Sequence, residues 1–164
     1  MACGPSTGAM IANYYKSKGY NIRGSSYYGS DAKLVNHLYS EMNSGMWGTT
    51  LTNFASGLFT HLRHNDSPTI WRGLAYSDST AHFVEYKDAI YTDRPVTIRY
   101  DYFTNNPEDI NYHFVVGMAY KAVNGSDYFG IKDPDGGPNN TSTNYYSWSS
   151  HSGDFAMHLT IPQY

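Results

Sequence analysis

The stretch Tyr112-His113-Phe114-Val115-Val116-Gly117-Met118-Ala119-Tyr120 decides the fold, read together with the Asn124-Gly125 and Tyr128-Phe129-Gly130-Ile131-Lys132-Asp133-Pro134 that follow it. The first segment is an apolar run of strand length, rich in β-branched and aromatic residues. Asn-Gly between two such runs is a strong short-range signal for a hairpin, because both residues tolerate the positive φ of its turn. Asp133-Pro134-Asp135-Gly136-Gly137-Pro138 ends the return strand, since proline cannot donate to a ladder and glycine favours turns. Upstream, residues 95–100 alternate, with Val96, Ile98 and Tyr100 on one side. Downstream, residues 155–161 form a last strand. The serine-rich residues 139–152 between them read as a surface loop.

The first half has helical spacing. Residues 6–18 carry Ala9, Met10, Asn13 and Tyr14 three or four apart, and Pro5 suits a first helical turn because its missing N–H has no partner there anyway. Ser30 is a candidate N-cap for a helix with Leu34, Val35, Leu38, Tyr39 and Met42 on one face. Thr49 or Thr50 caps a helix through Leu62. A short strand over residues 69–74 precedes a helix capped by Ser79, with Phe83, Tyr86 and Ile90 on one face. Helices first and strands afterwards predict an α+β fold, an N-terminal helical part packed on an antiparallel sheet. A chain of 164 residues is expected to form one domain over residues 1–164, helical to about residue 92 and β from about 93.

Composition excludes several functions. Eleven Lys and Arg against 14 Asp and Glu give a net charge of -3, and no basic run offers a nucleic-acid surface. The apolar runs are too short to cross a bilayer, so no membrane insertion is expected. Seventeen tyrosines with little charge lean toward an extracellular or cell-surface protein, although one cysteine also fits the cytoplasm. Asn-x-Ser/Thr sequons occur at Asn65, Asn124, Asn139 and Asn140.

That single cysteine, Cys3, stands where the first helix begins. Unpaired N–H groups and the positive end of the helix dipole favour its thiolate, the nucleophilic form. A free cysteine is more commonly a small buried hydrophobe, so its partners decide. A nucleophile needs a base, and the base an orienting group. His113 opens the most apolar strand and is held rigidly there. His37, His61 and His64 lie on helices, where a solvated face is the ordinary explanation. His61 and His64 are one turn apart and suit a metal, but lack a clear third ligand, so no metal and no cofactor are expected. Asp133-x-Asp135-x-Gly137 lacks the length and the later glutamate of a calcium loop. The segment Asp101-Tyr102-Phe103, with Trp47, Trp71 and Trp148, can line a cleft or serve the core.

Register tests the pairing of His113 with Asp133. A two-residue Asn124-Gly125 turn alone puts Asp133 opposite Val116, facing away from His113. A three-residue turn, or another odd shift, puts Asp133 opposite Val115 and diagonal to His113 on the same side, within reach of long side chains.

Ala2-Cys3-Gly4-Pro5-Ser6 before a helix, Asp93-Arg94-Pro95-Val96-Thr97-Ile98, His113-Phe114-Val115-Val116-Gly117 on a strand and Asp133-Pro134 after a hairpin resemble, in that order, the bacterial papain-fold cysteine peptidases. The group they resemble is that of the double-glycine leader (bacteriocin-processing) peptidases. The resemblance implies a peptide or protein substrate, with Cys3 as nucleophile, His113 as base and Asp133 as its orienting group. It also implies an oxyanion-binding glutamine several residues before the cysteine. Only Met1 and Ala2 precede Cys3, so either an upstream segment was removed, or the donor comes from elsewhere, or this form is impaired; the Cys3 backbone N–H remains. Two rival functions share the fold: a peptide-binding module without catalysis, and a peptidyl-transferase, since phytochelatin synthase has a similar motif order. An acyl-enzyme separates the first rival, and product analysis with an added amine separates the second.

Overall fold

A computed structural model describes residues 2–46, 48–64, 69–100, 113–134 and 142–163. Trp47, the Asp101-Tyr102-Phe103 segment, Tyr112, Asp135 to Gly137 of the calcium-like motif and the sequons at Asn65, Asn139 and Asn140 lie outside the described residues. In chain order the elements are α1 (Cys3–Ser17), α2 (Ser25–Tyr28), α3 (Asp31–Glu41), α4 (Leu51–Leu62), β1 (Ile70–Tyr76), α5 (Phe83–Tyr91), β2 (Val96–Tyr100), β3 (His113–Val123), β4 (Ser126–Lys132), β5 (Asn144–Ser147), α6 (Trp148–His151) and β6 (Phe155–Gln163). The fold is α+β. Its described strands form one six-stranded sheet in the order β1-β6-β2-β3-β4-β5, and β6-β2, β2-β3, β3-β4 and β4-β5 pair antiparallel.

The chain divides into two compact units, residues 1–73 with 161–164, and residues 74–160. In the first, α1 packs on α3 and α4. Leu34, Leu38, Met42, Phe54, Leu58 and Leu62 are buried there, and each contributes about 1.5–3 kcal/mol by leaving water. The helices start where small polar residues cap them: the Ser30 hydroxyl accepts from the Lys33 N–H at 3.2 Å, and the Thr50 hydroxyl from the Asn53 N–H at 3.1 Å. Close approach needs Gly57, because a Cβ there falls 2.7 Å from the Met42 Cα. Trp71 packs edge-on against Tyr15, ring centres 4.9 Å apart, which assigns this tryptophan to the core.

In the second unit β2 is central, with both faces largely buried. Two readings of the sequence are corrected here. Residues 144–151 are not loop: β5 pairs with β4, and α6 carries Trp148 into a cluster with Phe83, Phe129 and Phe155. Alternation of serine with aromatic residues hid a short edge strand. Nor does Ser79 cap α5. Its hydroxyl donates 3.0 Å to the Phe155 carbonyl, and His82 stands at the cap.

Candidate active site

Cys3 is the first residue of α1 and is 8% exposed. The helix begins there because the Ser6 N–H closes the first turn on the Ala2 carbonyl at 2.8 Å. Gly4 lets the chain pass close to Thr49: a Cβ on Gly4 falls 2.8 Å from the Thr49 hydroxyl. The thiol stands at a helix N-terminus, where peptide dipoles favour negative charge.

His113 and Asp133 belong to the second unit and meet there. His113 begins β3, opposite Tyr100 of β2, and is 8% exposed. Its Nε2 lies 2.6 Å from Asp133 Oδ1. A carboxylate only accepts, so Nε2 carries the proton donated to Asp133 and Nδ1 holds the basic lone pair of the neutral ring.

The hairpin reaches this geometry by a route the sequence left open. The turn has two residues, with Asn124 and Gly125 both at positive φ (51° and 79°), and Val123 faces Ser126. Pairing continues to Ala119 opposite Gly130, then shifts, so that Gly117 faces Ile131 and Val116 faces Lys132. Met118 is the extra residue of this bulge. Asp133, one position past Lys132, thereby comes to the side of the sheet that His113 occupies. The Tyr86 hydroxyl sits at the shift, donating 2.8 Å to the Ala119 carbonyl with the Gly130 carbonyl 3.3 Å away. Burial raises the Tyr86 pKa, so it stays a neutral donor.

A second group of chemistry-bearing side chains lies in the first unit. His61 is fully buried rather than on a solvated face, and it meets Glu41 with His64 and His37. Sequence reasoning paired His61 with His64, read His37 as part of a solvated helix face, and passed over Glu41. The i, i+4 spacing of His37 and Glu41 on α3 was the available signal; only the packing of α3 against α4 joins the two pairs.

No protein-family model matches the chain, and no curated protein matches it by sequence. Among solved structures, it resembles the peptidase domain of Streptococcus ComA, a bifunctional ABC transporter involved in a quorum-sensing pathway. The TM-score is 0.59 at 18% identity, over 99% of this chain and 92% of that one. UfSP from C. elegans also aligns, with a TM-score of 0.46 at 14% identity over 96% of this chain and 30% of that one. The chain shares the α+β fold of the ComA peptidase domain.

Proposed function

We propose that this protein is a cysteine peptidase or amidase in which Cys3, His113 and Asp133 act together on a peptide or protein substrate. The observation that carries the reading is the 2.6 Å contact between His113 Nε2 and Asp133 Oδ1, on a peptidase fold whose first helix starts with the single cysteine.

Nδ1 of His113 takes the Cys3 thiol proton, and the thiolate attacks the scissile carbonyl. The carbonyl π electrons move to oxygen, which the Cys3 backbone N–H stabilises. The intermediate collapses, the C–N bond breaks, and His113 returns the proton to the leaving amine. Water, deprotonated by the same ring, then cleaves the thioester and regenerates the thiol. Asp133 holds the ring in the reactive tautomer and offsets the charge of the imidazolium. An extracellular site of action, as on a secreted bacterial leader or cell-wall peptide, fits the tyrosine-rich, weakly charged composition.

Iodoacetamide labelling of Cys3 against pH, read by intact mass, tests the pairing. The expected midpoint lies below the ordinary thiol value of about 8.5 and rises toward it in His113→Ala. A midpoint at or above 8.5 in the unaltered protein, unmoved by His113→Ala, overturns the assignment. An acyl-enzyme on Cys3 seen with peptide substrates excludes a silent binding module. The product formed with an added amine distinguishes transfer from hydrolysis.

A further inference from the structure

His37 and Glu41 stand one turn apart on α3, His61 lies in the last turn of α4, and His64 follows its C-cap Arg63. One ligand atom from each of the four lies within 4.8 Å of every other. The three imidazole centres form a nearly equilateral triangle, 5.6 Å from His37 to His61, 5.6 Å from His37 to His64 and 5.7 Å from His61 to His64. Glu41 meets a nitrogen of each ring. Oε2 is 2.9 Å from His61 Nδ1, and Oε1 is 3.2 Å from His37 Nε2 and in contact with His64 Nε2.

The tautomer of His61 is fixed from outside. Its Nε2 lies 2.7 Å from the Arg23 carbonyl oxygen, an acceptor only, so Nε2 carries the hydrogen. That leaves Nδ1 facing Glu41 Oε2 2.9 Å away, and a cation between the two atoms, a proton or a metal ion, joins them. This side chain is fully buried, and the His37 Nε2 beside it is also shielded and makes no aligned hydrogen bond. An imidazole whose far nitrogen donates to a backbone carbonyl is the usual support for a metal-ligating histidine. Tyr28 stacks on the His37 ring at 4.6 Å, fixing the ligand on the other helix.

We propose that His37, Glu41, His61 and His64 form a binding site for one divalent transition cation of the zinc class. Three imidazoles and one carboxylate satisfy the tetrahedral preference and the nitrogen and oxygen ligands of Zn²⁺. Zinc ligands at about 2.0–2.1 Å from the ion stand roughly 3.3 Å apart, so each ligand atom moves less than about 1 Å to close on it. Four protein ligands leave no open position, which makes the ion structural. It clasps α3 to α4, the two helices on which α1 rests. The site is independent of the peptidase chemistry.

The test uses the full, tag-free chain, stripped with chelator and dialysed against Zn²⁺ or Co²⁺. The expected result is one equivalent of zinc by elemental analysis, intense tetrahedral visible absorption with cobalt, and a melting temperature raised by zinc. Cys3→Ala is expected to keep all three. His64→Ala and Glu41→Gln are expected to bind at least about 10-fold more weakly, using the loss found for outer-shell changes as a floor. His37→Gln, at a partly exposed position, serves where another variant fails to fold by circular dichroism. Zinc retained at well below one equivalent, or retained equally by the folded His64→Ala and His37→Gln chains, overturns the proposal.

Discussion

His113 Nε2 lies 2.6 Å from Asp133 Oδ1 because β3 contains one residue more than its partner strand between the hairpin turn and the histidine. The two residues stand 20 positions apart in the chain. The extra residue at Met118 decides whether they share a side of the sheet. If His113 is the base, Asp133→Ala leaves the ring without its acceptor and in a mixture of tautomers. General acid–base groups contribute about 10²–10⁴-fold. Turnover of Asp133→Ala on a peptide substrate is expected to fall by about 10²-fold or more, with Asp133→Asn recovering part of the loss by holding the ring. Equal kcat/KM in the wild type and Asp133→Ala removes Asp133 from the mechanism.

Tyr86 sits at the bulge. Its hydroxyl meets the carbonyls of Ala119 and Gly130, the first pair beyond the register shift. Tyr86→Phe keeps the packed ring but leaves a buried carbonyl short of a donor, which costs about 1–3 kcal/mol. Denaturant unfolding is expected to show that loss, and hydrogen exchange is expected to quicken at the β3–β4 amides near Met118 first. An unchanged unfolding midpoint separates the hydroxyl from the bulge.

At Gly125 the backbone alone sets the expected cost. φ is +79°, and nothing lies within 4 Å of an added Cβ. Gly125→Ala therefore meets no steric neighbour, only the left-handed penalty of about 1–2 kcal/mol. The thermal midpoint is expected to drop accordingly. A far larger drop indicates that the turn governs assembly of the whole hairpin.

Local chemistry made much of this legible. Ser30 and Thr50 cap helices because their hydroxyls have N–H groups within reach three residues on, and Asn124-Gly125 turns because both residues accept positive φ. The bulge at Met118 was not legible. Nothing in Gly117-Met118-Ala119 distinguishes a bulged residue from a paired one, and the Tyr86 hydroxyl that meets the shift comes from a separate helix. The joining of His37 and Glu41 to His61 and His64 was hidden for the same reason: each pair reads as an ordinary helix face until α3 and α4 pack. The short edge strand β5 was lost in serine-rich composition, since its order comes from pairing with β4.

His158 makes stability depend on acid. It is 3% exposed on β6, opposite Thr97 of β2, and burial lowers its pKa to about 4 from an ordinary 6.5. The folded chain keeps this ring neutral while the unfolded chain protonates it below pH 6.5, so the unfolded state binds more protons between those values. Stability contributed by the neutral ring is intact above about pH 6.5, declines as pH falls toward 4, and loses no more below that. A shift of this size corresponds to at most about 3 kcal/mol across the window. His158→Gln removes the titration while keeping a polar side chain. Urea unfolding of the two proteins from pH 7 to pH 4 is expected to show a steeper decline for the histidine form. Parallel declines assign the acid sensitivity to other groups.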